Sequence, residues 1–288
     1  MSASKSRFNR FSILMHPNIA RACQQAEELS SFLKSLGASE VVCSDIHDEM
    51  VCGRITRGDF DLLIPLGGDG TALRAARLGA PAGIPILGIN LGRSGFLMEM
   101  TQKNWKEYAP RLFTGEYRLE KRMLLIAEHW RGTEKLGSWD VVNEVVVCRG
   151  QVVRPINLAA SVDGFPLANY LADGLIVATP TGSTAYSLAV GGPILPPELR
   201  SILIVPVAPH LSLDRAIVLA ESARVEVRVQ SRHESVLSVD GQSAVMMEND
   251  DLIRVYNNPL SVEFVRFLDE GAFFRNLTCS MERNSCTG

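Results

Sequence analysis

The chain has no stretch near the roughly 18 consecutive apolar residues of a membrane span. Its first ten residues, basic at Lys5, Arg7 and Arg10, contain no apolar segment of the signal-peptide kind. A helical membrane protein is thereby excluded, no membrane partner is expected, and the expected location is cytoplasmic. Charge of one sign is lacking too: 29 Lys and Arg stand against 32 Asp and Glu, for a formal net charge of −3. Nothing electrostatic therefore invites nucleic acid or an anionic lipid surface, and any phosphate must be held by local groups. The six cysteines form no C-x-x-C pair, which argues against a zinc cluster or a disulfide framework and predicts buried, reduced thiols. No internal repeat and no low-complexity block occurs, so function has to be read from local motifs.

What is present suits an ordinary globular protein. In 288 residues, 46% are hydrophobic, enough for one large or two moderate domains without staples. Phe11 to His16 is a strand-length apolar run. Pro17 to Leu36 follows with Ile19, Cys23, Ala26, Leu29 and Leu36 on one helical face, closed by Gly37. Further strands are expected at Glu40 to Cys43, Leu62 to Leu66 and Ile84 to Ile89, with a helix over Ala72 to Leu78. Strands alternating with helices predict an α/β N-terminal domain, residues 1–118, built on a Rossmann-like parallel sheet. Beyond Tyr117 the pattern becomes strand after strand: Arg118 to His129, Trp139 to Cys148, Ser201 to Val207, and Arg224 to Gln230 with Val225, Val227 and Val229 alternating. That predicts an all-β, sandwich-like domain over 119–255. The end from Met281 onward is polar and expected to be loose.

Leu62-Leu63-Ile64-Pro65-Leu66 runs into Gly67-Gly68-Asp69-Gly70-Thr71 and then a helix start. Glycines let backbone amides approach phosphate oxygens, and a helix N-terminus adds positive potential there. An aspartate in such a turn repels phosphate unless it binds metal or accepts a proton from an attacking hydroxyl. A loose phosphoryl-transfer transition state asks a base only to orient that hydroxyl and take its proton late. The competing reading is a βα turn in which Asp69 caps the helix.

The string Asp173-Gly-Leu-Ile-Val-Ala-Thr-Pro-Thr-Gly-Ser-Thr-Ala-Tyr-Ser-Leu188 is more unusual: a strand ends in a long loop dense in hydroxyls. Its hydroxyls and amides suit ribose and phosphate, and Tyr186 offers a ring for stacking. A Ser/Thr turn capping a helix accounts for only part of it.

Together with Asn90 to Leu97, Asn143-Glu144, Gly191-Gly192-Pro193-Ile194 and Asp240-Gly241-Gln242, these segments resemble the NAD kinases in order and spacing over residues 11 to 270. The resemblance implies phosphorylation of the 2′-hydroxyl of the adenosine ribose of NAD, with ATP as donor and a divalent metal, Mg²⁺, as cofactor. It also implies a C-terminal segment, 256–288, that returns to the first domain, and assembly as a homodimer or homotetramer. Carried over by position, Asp69 is the proton acceptor, with Gly70 and Arg74 near nucleotide phosphates. Asn143 and Glu144 hold adenine and ribose groups, and Arg154 is a polar neighbour of the cofactor. Asp173 and the stretch Thr184, Ala185, Tyr186, Ser187, Leu188 and Ala189 line the dinucleotide pocket, and Gln242 closes it. Asp214 is a further candidate. Bland alternatives stand beside these: a strand-edge turn for Asn143 and Glu144, a surface charge for Arg154, a helix-surface residue for Arg74, and an Asp-Gly hairpin at Gln242.

Three positions depart from the family pattern. Ser94 replaces an apolar residue and Ala216 a common proline. Leu171 stands where many members carry arginine, removing charge-assisted donors from the ligand site, a loss for which Arg154 is the candidate substitute. His210 lacks partners for catalysis and reads as structural. Two rivals remain: a lipid kinase of the diacylglycerol or sphingosine type, sharing Gly-Gly-Asp-Gly, and a non-catalytic NAD(P) sensor. Asp69 argues against the sensor, because a carboxylate beside phosphate costs a mere binder affinity.

Overall fold

The structure, a computed structural model, describes residues 8–275 and 277, apart from 18, 20, 93, 94 and 211. Ser94 and the end from Met281 onward lie outside the described residues. The chain divides into two compact units, one made of residues up to Lys121 together with those from Val262 onward, the other of Arg122–Ser261.

The first unit carries β1 (Arg10–Met15), α1 (Ala22–Ser35), β2 (Glu40–Asp45), α2 (Glu49–Thr56), β3 (Leu62–Gly67), α3 (Asp69–Gly79), β4 (Gly88–Asn90) and β5 (Met98–Thr101). Its sheet runs β2-β1-β3-β4-β5 with every pair parallel. β3 is buried along its whole length, as a strand covered on both faces must be, which is why its sequence is a continuous apolar run. One core joins Phe11, Ile13, Leu62 and Ile64 of the sheet to Leu29 and Leu33 of α1, and to Val265 and Phe267 near the chain's end. Ile86 explains that last contribution: its amide donates to Glu263 O at 2.8 Å, and its carbonyl accepts Val265 N at 2.8 Å. The apolar run at Ile84 yields only a three-residue strand, because Ile86 bridges two partners without a continuous ladder.

The second unit is a sandwich whose first and last strands run on into the first unit at residues 118–121 and 262–266. Its strands are β6 (Arg118–Arg131), β7 (Glu134–Val141), β8 (Glu144–Arg149), β9 (Ile156–Val162), β10 (Phe165–Ala172), β11 (Gly174–Ala178), β12 (Ser201–Val207), β13 (Ile217–Ala220), β14 (Val225–Val229), β15 (Ser235–Val239), β16 (Val245–Met247) and β17 (Leu252–Arg266). They form two six-stranded sheets, β10-β9-β14-β17-β6-β7 and β13-β12-β11-β8-β15-β16. The inward residues Val225, Val227 and Val229 meet Val145, Val177 and Ile204 of the facing sheet in one core, as the period of two predicts. The expected continuous strand from Trp139 to Cys148 is instead two strands in different sheets, broken at Val142-Asn143. The thiols also differ from expectation: Cys23 and Cys43 are exposed, Cys52 and Cys148 partly so, and all four are free.

Candidate functional site

In the first unit the strand order reverses direction beside β1 and β3, and crevices at such switch points, beyond the carboxyl ends of strands, are where open α/β sheets bind ligands. The Gly67–Thr71 turn sits at that end of β3. Gly67 is fixed by packing, since a side chain there would run into the Thr71 hydroxyl. Gly68 is the helix N-cap in extended conformation, and Asp69 is the first residue of α3. The Asp69 side chain does not cap the helix. Its Oδ2 accepts the Phe96 amide at 2.8 Å and its Oδ1 the Leu97 amide at 3.2 Å. Gly95, just before them, has no room for a Cβ because the Asp69 carboxylate lies there. One lone pair of each oxygen is thus used to aim the half-buried carboxylate, and the others remain for a hydroxyl. Gly70 is exposed on the same turn. Arg74, one turn into α3, donates from Nε to Ile46 O at 3.3 Å, which ties it to the chain just past β2.

In the second unit Asn143 lies in the break between β7 and β8, and Glu144 opens β8. Asp240 builds that break: its carboxylate accepts the amides of Val142 at 2.9 Å, Asn143 at 2.7 Å and Glu144 at 3.1 Å. Asp240 and Gly241 both have positive φ, +47° and +67°, and Gln242 N closes the turn on Val239 O at 2.9 Å. The Asp-Gly hairpin reading is therefore what the backbone adopts, with Gln242 exposed on it. From the other side Thr179 donates Oγ1 to Val142 O at 2.6 Å and its amide to Asn143 O at 2.9 Å. Gly182 packs so closely on the Asn143 carbonyl that a Cβ would collide with it. Held this way, Asn143 and Glu144 are buried, yet Asn143 Oδ1 and Glu144 Oε2 have no hydrogen-bond partner among the described residues. Burial first, and then the negative charge of Asp240, push the Glu144 carboxyl up to about 8. At neutral pH it is a carboxylic acid, able to donate as well as accept.

The hydroxyl-rich loop after β11 is braced by its own side chains. Ser183 Oγ donates to Pro180 O at 2.6 Å and accepts Leu195 N at 2.9 Å, and Thr184 Oγ1 donates to Thr181 O at 3.1 Å. These hydroxyls hold the bend. Ser187, on the short helix Tyr186–Ala189, is fully buried against Gly192, and its Oγ has no hydrogen-bond partner among the described residues. Asp173 lies 3.1 Å from Arg149 Nε. The Tyr186 phenol is shifted up by burial, then by Cys148 and Asp173, which gathers Tyr186, Cys148, Asp173 and Arg149 in one neighbourhood. Ala185 and Leu188 are half-buried and Ala189 exposed.

The other candidates are exposed. Arg154 is exposed, and Asp214 is exposed with Arg215 at 3.5 Å. Leu171 is exposed on β10, its carbonyl accepting His210 N at 2.7 Å, and the guanidinium that meets Asp173 is Arg149 rather than Arg154. Sequence reasoning missed Arg149, Gly95 and, as a site residue, Asp240. Asp240, inside the Asp-Gly-Gln motif, and Gly95, inside the Asn90 to Leu97 segment, left a sequence trace, and Arg149 left none. Among the described residues no group of three His, Cys, Asp or Glu side chains is placed to hold a metal ion.

Known proteins of one family resemble the chain along most of its length. Residues 48–117 match the ATP-NAD kinase N-terminal domain family and residues 142–267 the ATP-NAD kinase C-terminal domain family. The chain is 36% identical over 277 residues to an NAD kinase of Chloroflexus aggregans, covering 96% of this chain and 99% of that protein. It is 42% identical over 225 residues to an NAD kinase of Heliobacterium modesticaldum, covering 78% and 79%. Among solved structures, yeast NADH kinase complexed with NADH superposes with a TM-score of 0.80 at 25% identity, covering 96% of this chain and 91% of that one. An NAD kinase from Archaeoglobus fulgidus shares the fold, with a TM-score of 0.75 at 24% identity over 94% and 98% of the two chains.

Proposed function

The chain belongs to the NAD kinase family, and we propose that it transfers the terminal phosphoryl group of ATP to the 2′-hydroxyl of the adenosine ribose of NAD, giving NADP. The observation that carries the reading is the Asp69 carboxylate, released from helix capping and aimed by two backbone amides. Such a carboxylate can accept the proton of a hydroxyl as the bond to phosphorus forms. The unpartnered acceptors Asn143 Oδ1 and Glu144 Oε2 support a ligand rich in donors and acceptors, as a nucleoside is. Glu144 as an acid complements a ribose oxygen or a ring nitrogen, and the yeast relative bound to NADH supports a dinucleotide acceptor.

Without a carboxylate cage among the described residues, the divalent ion fits as part of the metal–ATP substrate, held chiefly by phosphate oxygens. Bound there it neutralises phosphate charge. The chain's own contribution is to place the hydroxyl and take its proton at Asp69.

The test is NADP formation from NAD, ATP and magnesium by the purified protein, beside Asp69→Asn and beside a diacylglycerol acceptor. Asp69→Asn is expected to lower kcat by about 10²–10⁴-fold with NAD binding retained. NAD binding without turnover in the wild-type protein would favour a sensor, and lipid phosphorylation the other kinase class.

A further inference from the structure

The loop that aims Asp69 is itself held from the far end of the sequence. Arg266, the last residue of β17, donates from Nη1 to Leu97 O at 3.1 Å and to Glu99 Oε2 at 3.2 Å, and from Nε to Glu120 Oε1 at 3.1 Å. Its side chain is 6% exposed, and those of Glu99 and Glu120 are 8% and 5% exposed. Glu99 closes the connection from the other side by accepting the amides of Phe267 at 2.7 Å and Leu268 at 3.2 Å. Arg118, itself partly exposed, joins them: Nη2 donates to Glu120 Oε2 at 3.2 Å and Nε to Leu268 O at 3.0 Å. Buried Arg266, Glu99 and Glu120 are thus linked on the return segment, and Arg266 reaches the 95–97 loop at the Leu97 carbonyl.

That carbonyl belongs to the residue whose amide donates to Asp69 Oδ1. Fixing one end of a residue with a charge-assisted bond restricts how its N–H can turn. We infer that Arg266 is a positioning residue for the phosphoryl-transfer step: through Leu97 it holds the amides that aim the Asp69 carboxylate. The inference rests on Asp69 being the proton acceptor. The hydrogen bonds of Arg266 go to Leu97, Glu99 and Glu120 and it acts on Asp69 only through Leu97, so its effect is expected in kcat rather than in binding.

The experiment measures kcat and KM for NADP formation in four proteins: wild type, Asp69→Asn, Arg266→Met combined with Glu120→Gln to keep the buried charge balanced, and all three changes together. The balanced variant is expected to lose about 10–100-fold in kcat, as small misplacements of catalytic groups do, with KM for NAD and ATP within about 3-fold of wild type. In the Asp69→Asn background the same changes are expected to cost nothing further. A merely structural role would lower both backgrounds alike. Arg266→Lys keeps the charge, serves where the balanced variant does not fold, and is expected to lose about 3–10-fold in kcat because a lysine lacks the fork that reaches Leu97 O, Glu99 and Glu120 together. Leu33→Ala, a core truncation on α1, controls for destabilisation and is expected to leave kcat of the folded enzyme unchanged. Wild-type kcat in Arg266→Lys and in the balanced variant, or an equal loss added to Asp69→Asn, overturns the role of Arg266 alone. Full turnover by Asp69→Asn, or no NADP from the wild type, overturns the reading of Asp69 and this inference with it.

Discussion

Glu144 shows how one buried residue ties the binding reading to stability. Its folded-state carboxyl titrates at about 8, whereas an ordinary glutamate loses its proton near 4.5. Between those values the folded chain holds a proton that the unfolded chain has released, so stability falls as pH rises through that window. Each pKa unit is about 1.4 kcal/mol, making the loss from pH 5 to pH 8 on the order of 3 kcal/mol. Glu144→Gln, which has no proton to lose, should remove this slope. Urea unfolding at pH 5 and pH 8 is expected to show a smaller pH-dependent loss in the variant than in wild type. An equal loss in both would mean that Glu144 is not the group responsible. The glutamate itself is legible in the sequence as a candidate, but its protonation is not, because burial and the charge of Asp240 come from residues 96 positions away.

At the scale of elements, the hydrophobic pattern specified strands well where a strand lies between two neighbours. β12 spans Ser201–Val207 as expected, and β14 falls within Arg224 to Gln230. The pattern failed at Val142-Asn143, where the valines of β7 and β8 were read as one strand across the polar pair Asn143-Glu144 although the chain changes sheets. What breaks the strand is a carboxylate from the β15–β16 turn, and a side chain that satisfies three amides at long range leaves no periodic signal. Asp240→Ala should therefore act as a loss of local architecture. Three amides in a buried setting lose a charged acceptor, and destabilisation of about 2–4 kcal/mol is expected in urea unfolding. KM for NAD should rise as Asn143 and Glu144 lose their hold. Gln242→Ala, on the same turn but exposed, should change stability by less than about 0.5 kcal/mol. Equal effects of the two variants would place the turn's contribution in its backbone rather than in the Asp240 carboxylate.

For the whole molecule, the decisive feature is that the first unit is not contiguous in sequence. Phe264 and Val265 are fully buried and Phe267 is 8% exposed, with Val265 and Phe267 in the core built on β1, β3 and α1. Truncating a buried Phe to Ala costs about 3–5 kcal/mol, and whole domains are stable by only about 5–15 kcal/mol. A chain ending at Ser261 loses both phenylalanines, Val265, the Arg266 network and the pairing of Ile86 at once. Those losses exceed what such a unit can spare. Arg122–Ser261, by contrast, keeps its complete core across two sheets. The 1–261 chain is expected to be cut throughout its first 121 residues by limited proteolysis while a β-rich fragment beginning near Arg122 survives. A first unit as resistant as in the full chain would show that the return segment adds catalytic positioning without being needed for the fold. The two roles separate because Arg266 variants keep Phe264, Val265 and Phe267: truncation tests the core, and the charge-balanced substitution tests the aim of Asp69.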